Sequence, residues 1–209
     1  MKTEKLNLGK KDEMADILLK IDALKFGVFK LSSGKASPYY IDLRVVPSFP
    51  DAFREICDFY SNYITKEIGL KNFDRIAGVP IAGIPFASQV AYSLKKPFLY
   101  VPKNPKMHGR ERRVEGILVS GDKVLLLDDL VTTGLTLKKA AESVRAEGGI
   151  VTGAVAFLDR EENGKQLLEK SNIKLHALLK ISEIAKTLYD IGAIDEESLK
   201  TIHKQIKKQ

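Results

Sequence analysis

Residues 124–136 constrain the fold of this chain more than any other stretch, because they place two adjacent acids between a buried strand and a helix. The run Val124–Leu127 is continuously apolar and does not alternate, which is typical of a parallel strand buried on both faces. Asp128 and Asp129 follow it, so we expect them at the carboxyl end of that strand. Ligands bind at this end in open α/β sheets, and the sequence therefore predicts a ligand site here.

The turn after the two acids has the composition of a phosphate-binding loop. Residues 132–136, Thr-Thr-Gly-Leu-Thr, offer hydroxyls and backbone N–H groups ahead of a helical pattern at 137–147. Carboxylates would repel a phosphate placed beside them, but they accept hydrogen bonds from ribose hydroxyls. The predicted ligand is therefore a ribose 5-phosphate. The alternative is that the acids only end a strand and cap a helix, although one Asp would be enough for that.

The rest of the chain alternates strand and helix patterns, which predicts an α/β fold with a doubly wound parallel sheet flanked by helices. Two short strands, Val28–Leu31 and Tyr39–Leu43, flank a turn-rich loop and are expected in a small N-terminal hood subdomain. The other predicted elements are helices at 12–24, 51–68, 83–94, 182–191 and 195–207, and strands at 75–79, 97–101, 123–127, 150–158 and 175–181.

Length and composition favour one domain. The chain has 209 residues, of which 44% are hydrophobic and 29% charged, as in an ordinary globular protein. We expect a single domain over 1–209, with about 1–45 in the hood, about 46–181 in the core and 182–209 in C-terminal helices. The opening residues lack an apolar segment and no stretch is long enough to span a membrane, so we expect a cytoplasmic protein without a membrane partner.

The charge and the cysteine content argue against several kinds of site and partner. The single cysteine, Cys57, excludes an intramolecular disulfide and a Cys-rich zinc site. The net charge of +7 could indicate nucleic-acid binding, but acids stand between the basic residues in most segments. An anionic small substrate explains the excess equally well, so nucleic acid is not the expected partner.

Two further loops resemble anion-binding segments in composition. Residues 78–85 combine small residues and prolines after a predicted strand, which suits a tight loop against a ligand or an ordinary strand-to-helix turn. Residues 103–113 carry six basic side chains opposed only by Glu111, and we expect a solvated, mobile loop that orders around a polyanion such as pyrophosphate. The alternative is a plain charged surface loop. The six are Lys103, Lys106, His108, Arg110, Arg112 and Arg113.

Residues 124–136 resemble the signature for phosphoribosyl pyrophosphate (PRPP) of the type I phosphoribosyltransferases. Residues 29–44, 114–116 and 156–161 resemble the orotate phosphoribosyltransferases of that family in particular. The resemblance extends from about residue 20 to the C-terminal helices. It implies the type I phosphoribosyltransferase fold and the reaction of PRPP with orotate to give orotidine 5′-monophosphate and pyrophosphate, a step of de novo pyrimidine (UMP) biosynthesis.

The resemblance also assigns roles to residues around PRPP. Asp128 and Asp129 would bind the ribose hydroxyls and residues 132–136 the 5-phosphate, while the basic loop would close over PRPP and neutralise the departing pyrophosphate. The implied catalytic residues are Lys106, His108, Asp128 and Asp129. The implied PRPP-binding residues are Lys103, Lys106, His108, Asp128, Asp129, Leu130, Val131, Thr132, Thr133, Gly134, Leu135 and Thr136.

The implied orotate-binding residues are Thr132, Arg160, Tyr39 and Tyr40. Arg160 follows a predicted strand and could hold the orotate carboxylate through two parallel hydrogen bonds. Its alternative role is an ion pair with Glu161 or Glu162. The two tyrosines could flank the pyrimidine ring, although tyrosines at strand positions more often belong to the core.

Magnesium and a second subunit are implied as well. The resemblance predicts Mg²⁺ held mainly by PRPP and water, with no dedicated protein metal site, and a homodimer in which loop 102–113 completes the neighbouring site. Ser32, Ala82 and Pro102 stand where some members of the family have basic residues, which bears on PRPP affinity and rate. Two rival functions remain: a PRPP-dependent transferase for another base, such as a purine, and a PRPP-sensing regulator that binds nucleic acid.

Overall fold

Helices and strands alternate along the chain as the sequence pattern predicts. A computed structural model describes residues 2–30, 36–103 and 113–207. The elements in chain order are α1 (Lys2–Lys20), β1 (Leu24–Lys30), β2 (Ala36–Ile41), α2 (Pro50–Tyr63), β3 (Arg75–Gly78), α3 (Gly83–Ser93), β4 (Phe98–Tyr100), β5 (Lys123–Val131), α4 (Leu135–Ala146), β6 (Ile150–Asp159), α5 (Gly164–Lys170), β7 (Leu175–Lys180), α6 (Ile181–Asp190) and α7 (Glu196–Lys207). Short helical turns lie at Leu43–Ser48, Ile64–Ile68 and Leu70–Asn72.

Five strands form the sheet predicted for the core. Their order is β4-β3-β5-β6-β7, so β5 lies at the centre. β3 pairs in parallel with β4 and with β5, and β5 pairs in parallel with β6. Parallel neighbours need a crossover connection, and α3 and α4 provide it between β3 and β4 and between β5 and β6. The predicted doubly wound parallel sheet flanked by helices is confirmed.

Helix α4 covers part of this sheet through one apolar face. Four of its side chains recur at helical spacing and are at most 1% exposed, namely Leu137, Ala140, Ala141 and Val144. They belong to one buried cluster with residues of β3 and β5, including Ala77, Val124 and Leu126. This packing fixes the start of α4 next to the end of β5, which is where the sequence predicts the ligand.

Strand β5 is longer than predicted, and this changes the expected position of Asp128 and Asp129. The apolar run ends at Leu127, but the strand continues to Val131 because β6 goes on pairing with it, Asp128 with Ala156 and Leu130 with Leu158. On its other side, the last residue of β5 paired with β3 is Leu127. The acids therefore lie inside the strand rather than after it, on the part of β5 that extends beyond β3.

Contacts within the chain define two compact units, residues 1–53 with 179–209, and residues 54–178. The first contains α1, the antiparallel β1–β2 hairpin, α6 and α7. The predicted hood, about 1–45, thus belongs to the same unit as the C-terminal helices, which the sequence pattern treats separately. The single domain over 1–209 stays a prediction.

Polar contacts join α1 to α6 inside the first unit. Lys11 pairs with Glu183 at 3.0 Å, and the Thr187 hydroxyl donates a hydrogen bond to the Asp12 carboxylate at 2.7 Å. The predicted helix 12–24 ends earlier, at Lys20, because the chain turns at Asp22, which has a φ of 58°. Helix α5 was not predicted. Within the described ranges, no helix is long and apolar enough to cross a membrane.

Candidate active site

The two acids of β5 are buried side by side. Asp128 is 5% exposed and Asp129 8% exposed, and the backbone N–H of Asp129 donates a hydrogen bond to Asp128 Oδ1 at 3.0 Å. Burial, followed by the neighbouring charge of Asp129, raises the pKa of Asp128 well above its usual range. A ligand that donates hydrogen bonds to these carboxylates, or a cation, would stabilise their ionised form. Such a pair costs stability without a ligand, which favours a binding role.

Two neighbours fix the backbone of Asp128. The buried hydroxyl of Tyr60, on α2, donates a hydrogen bond to the Asp128 carbonyl oxygen at 2.6 Å. Burial is the main reason that the pKa of Tyr60 lies well above its usual value, so the hydroxyl keeps its proton for this bond. From the other direction, α3 begins at Gly83 so close to β5 that a Cβ there would lie 2.8 Å from Asp128 Cα. Only glycine permits this approach.

The loop after the acids turns directly into α4. Gly134 takes a φ of 77°, in the left-handed region that favours glycine, and the helix begins at the next residue. No side chain caps the start of α4. Thr133, Leu135 and Thr136 are exposed, whereas Thr132 is half-buried. The first N–H groups of a helix lack partners within it, so this exposed turn suits a phosphate.

A second loop, residues 160–163, and the start of α5 pack directly against this one. The Arg160 backbone N–H donates to the Val131 carbonyl oxygen at 2.9 Å. At the far end of the loop, a Cβ on Gly164 would lie 2.5 Å from Val131 Cγ1 and 2.7 Å from the Thr132 carbonyl oxygen. The segment that carries Arg160 and the predicted phosphate loop are therefore in main-chain contact.

Arg160 makes the ion pair that was one of its two predicted roles. Its Nη2 lies 2.9 Å from Glu162 Oε1, and both side chains are 11% exposed. Arg160 thus follows the end of β6, its backbone bonds to the strand that carries the acids, and its guanidinium contacts a carboxylate. Its role in orotate binding remains a prediction.

Two further predicted orotate-binding residues, Tyr39 and Tyr40, lie in the first unit. Tyr39 is 1% exposed, as expected for a core tyrosine. Tyr40 is 37% exposed, its ring centre lies 5.7 Å from that of Phe29, and its hydroxyl accepts a hydrogen bond from Arg44 at 3.2 Å. Their part in binding a base stays a prediction.

Both ends of the basic loop are anchored where the structure describes them. Tyr100 and Glu115 pair through two backbone hydrogen bonds, at 2.8 and 3.1 Å, and the Glu147 carboxylate accepts from the backbone N–H groups of Arg113 and Val114. Lys103 is exposed. The predicted roles of Lys106 and His108, and the departure at Ser32, fall outside the described residues.

Known proteins resemble this chain in both fold and sequence. A family model for the phosphoribosyl transferase domain matches residues 50–178, which include the acids and both loops packed beside them. The orotate phosphoribosyltransferase of Cenarchaeum symbiosum (strain A) is 40% identical over 195 residues, 93% of this chain and 98% of that protein. The chain belongs to the orotate phosphoribosyltransferase family.

Two solved structures extend this family likeness to three dimensions. The orotate phosphoribosyltransferase of Aeropyrum pernix is 31% identical with a TM-score of 0.76, and the match covers 87% of this chain and 99% of that one. Leishmania donovani UMP synthase is 30% identical with a TM-score of 0.82, and the match covers 95% of this chain. This chain spans 42% of the UMP synthase chain.

Three residues that support this candidate site are not predictable from local sequence patterns as site residues. Tyr60 belongs to the apolar face of α2, and no local pattern indicates that its hydroxyl bonds to a residue 68 positions away. Gly83 was noted only as one small residue of loop 78–85. Gly164 follows Asn163 in a dipeptide that marks a turn, and that signal could have drawn attention to it.

Gly164 gives a testable prediction about PRPP binding. We expect Gly164→Ala to raise KM for PRPP at least about tenfold, because the added methyl group must displace Val131 or the Thr132 carbonyl. Steady-state kinetics at saturating orotate measures this change. Gly9→Ala is the matched control, since a Cβ at Gly9 meets nothing within 4 Å and Gly9, like Gly164, does not have a positive φ. An unchanged KM for PRPP in the Gly164 variant would contradict the coupling of the two loops.

The chemistry of the acids also suits Mg²⁺. Within residues 2–30, 36–103 and 113–207, no group of three or more His, Cys, Asp or Glu side chains is arranged to hold a metal ion. Asp128 and Asp129 provide two buried carboxylates, and hard oxygen ligands are what Mg²⁺ prefers. A site with so few protein ligands suits an ion that keeps substrate oxygens and waters.

Proposed function

We propose that this chain transfers the phosphoribosyl group of PRPP to orotate, giving orotidine 5′-monophosphate and pyrophosphate in pyrimidine biosynthesis. The observation that carries the proposal is the buried pair Asp128 and Asp129 beside a turn that leads into an uncapped helix. Together these features provide acceptors for ribose hydroxyls and N–H donors for a 5-phosphate. Family membership supplies the identity of the sugar donor and of the base.

Displacement at the anomeric carbon sets what the residues must do. The bond from that carbon to the pyrophosphate oxygen breaks while a bond to the orotate ring nitrogen forms, and that nitrogen gives up its proton to water. Positive charge therefore grows on the ribose and negative charge on pyrophosphate. Asp128 and Asp129 hold the sugar and lie on the side where positive charge develops. Residues 132–136 hold its phosphate. This positioning lowers the entropy cost of bringing the two reactants together.

We assign the binding of the anionic groups of both substrates to the basic loop and to Arg160. Lys103, Lys106 and His108 would neutralise the departing pyrophosphate and exclude water from the closed site. Arg160 would bind the orotate carboxylate. Tyr39, Tyr40 and Thr132 keep the orotate-binding roles that the family resemblance implies. Asp128 and Asp129 would hold Mg²⁺ together with substrate oxygens and water, and the ion would supply positive charge that stabilises the departing pyrophosphate.

The setting of the reaction is part of the proposal. A homodimer in which loop 102–113 completes the neighbouring site follows from the family resemblance. Sedimentation equilibrium supports it if the mass is twice the chain mass of 23.3 kDa, and an active monomer contradicts it.

The cytoplasm is the proposed compartment, which suits a chain whose one cysteine, Cys57, is free and buried.

A base panel tests the proposed function. Purified protein is incubated with PRPP, Mg²⁺ and, in separate reactions, orotate, uracil, adenine or hypoxanthine, and pyrophosphate release is followed. We expect release with orotate at least about 100-fold faster than with the other bases, since they lack the carboxylate that pairs with Arg160. Excess EDTA should abolish the release. A faster reaction with a purine would contradict the proposal and favour the rival transferase, and salt-sensitive DNA or RNA binding without turnover would favour the regulator.

A further inference from the structure

The ion pair between Arg160 and Glu162 is buried, unlike an ordinary surface pair. Its atoms Nη2 and Oε1 are 2.9 Å apart, and each side chain is 11% exposed. By comparison, the nearby pair Lys165 and Glu169 is separated by 3.8 Å, with side chains 62% and 57% exposed. Surface pairs of the second kind contribute little, whereas a buried carboxylate must be matched by its cation. Glu162 and Arg160 are therefore paired by charge in a buried position, through a contact that lacks the geometry of a hydrogen bond.

The backbone around Glu162 is held in an uncommon conformation on both sides. Glu161 has a φ of 56° and Asn163 a φ of 64°, both in the left-handed region. Asparagine adopts this region readily, whereas glutamate persists there only where its surroundings fix it. The Glu161 N–H donates to Asp159 Oδ1 at 2.7 Å, which supplies one such constraint.

The same loop is attached to the predicted phosphate site. The Arg160 N–H bonds to the Val131 carbonyl at 2.9 Å, and Gly164 packs against Thr132. Glu162 stands between these two attachments. Its carboxylate therefore has a defined position relative to the sugar site, and through the ion pair so does the Arg160 guanidinium.

A guanidinium can serve two carboxylates at once. It presents five N–H donors in a planar fork, so contact with Glu162 at Nη2 is compatible with binding a second carboxylate on another edge. A free arginine side chain would have many rotamers to lose on binding. Pairing with a fixed carboxylate removes much of that loss before the substrate arrives.

We propose that Glu162 is a positioning residue for base recognition: it holds the Arg160 guanidinium in the orientation that binds the orotate carboxylate, and it stays paired while orotate is bound. The inference rests on the proposed function, since it needs Arg160 to contact orotate. The opposite possibility is that Glu162 takes the place of the substrate carboxylate and must leave. The two possibilities predict opposite changes in orotate affinity. Removing a positioning residue weakens orotate binding, and removing a competitor strengthens it.

Glu162→Gln tests the inference with little change in shape. We expect KM for orotate to rise about tenfold, with kcat and KM for PRPP within about twofold of the parent protein. Glu169→Gln, the same substitution in the exposed pair with Lys165, should leave all three values unchanged. An unchanged or lower KM for orotate would overturn the proposal. A parallel rise in KM for PRPP would also overturn it, since that result means that the loop has distorted the phosphate site.

A double-mutant cycle shows whether Glu162 acts through Arg160. Values of kcat/KM for orotate are measured below saturation for the parent, Glu162→Gln, Arg160→Ala and the double variant. We expect Glu162→Gln to lower kcat/KM about tenfold in the parent and by less than about twofold when Arg160 is absent. Equal effects in both backgrounds would overturn the inference. If the parent protein itself fails to consume orotate, the proposed function fails rather than this inference alone.

Discussion

Replacing both Asp128 and Asp129 with asparagine is expected to lower kcat/KM for PRPP by about 10³-fold. Each carboxylate is expected to accept charge-assisted hydrogen bonds from the ribose, worth about 1.5–3 kcal/mol apiece, and about 1.4 kcal/mol corresponds to a factor of ten. The side chains are buried, so water does not replace the lost bonds. Initial rates of pyrophosphate release at varied PRPP and saturating orotate measure the effect.

Stability separates this loss of function from a loss of folding. We expect the Asp128→Asn/Asp129→Asn protein to unfold at the same temperature as the parent or at a higher one. Asparagine keeps an oxygen that can accept the Asp129 N–H bond, but it carries no charge that burial penalises. Glu196→Gln/Glu197→Gln is the matched control, because it removes two adjacent charges from an exposed helix start. Equal activity loss in that control would contradict the assignment.

Replacing Arg160 with alanine is expected to raise KM for orotate by about 100-fold and to leave KM for PRPP within about threefold. Two parallel hydrogen bonds from a guanidinium to a carboxylate, in a site that is mostly closed to water, account for a change of this size. Removing Arg160 also leaves the Glu162 carboxylate buried without its partner. Thermal unfolding should therefore be measured beside the kinetics.

Arg160→Lys is the conservative comparison for this prediction. Lysine keeps the charge next to Glu162 but cannot form two parallel hydrogen bonds to one carboxylate, so we expect a KM for orotate between those of the parent and the alanine variant. The prediction is contradicted if KM for orotate does not change in the alanine variant. Arg160 would then be only a structural partner of Glu162, which is the alternative role predicted from the sequence.

The sheet and its ligand edge could be predicted because their signals are local. The apolar run before Asp128 and the Thr/Gly turn after it are contiguous, and the alternating elements around them fix the parallel topology. Even there, the end of β5 was misplaced by four residues, because pairing with β6 rather than polarity decides where the strand stops. A run of apolar residues reports burial, whereas strand length depends on the partner.

The supports of the site depend on contacts between distant residues, which a single sequence does not reveal. The bond from Tyr60 to Asp128 joins residues 68 positions apart, and Gly164 meets the turn at Thr132 through space. The sequence allows the Arg160 ion pair to be predicted but not its burial, because neighbouring charges have the same pattern in an exposed loop and in a packed one. The chemistry of the site was therefore readable, and the groups that position it were not.

The most direct test of the central claim is the loss of orotate ultraviolet absorbance when PRPP and Mg²⁺ are added to purified protein, with pyrophosphate measured in the same reaction. We predict that one pyrophosphate appears for each orotate consumed, that both signals need PRPP, and that both fall about 10³-fold with the Asp128→Asn/Asp129→Asn protein. Orotate that stays unconsumed by folded parent protein, or turnover that persists in the variant, would contradict the account.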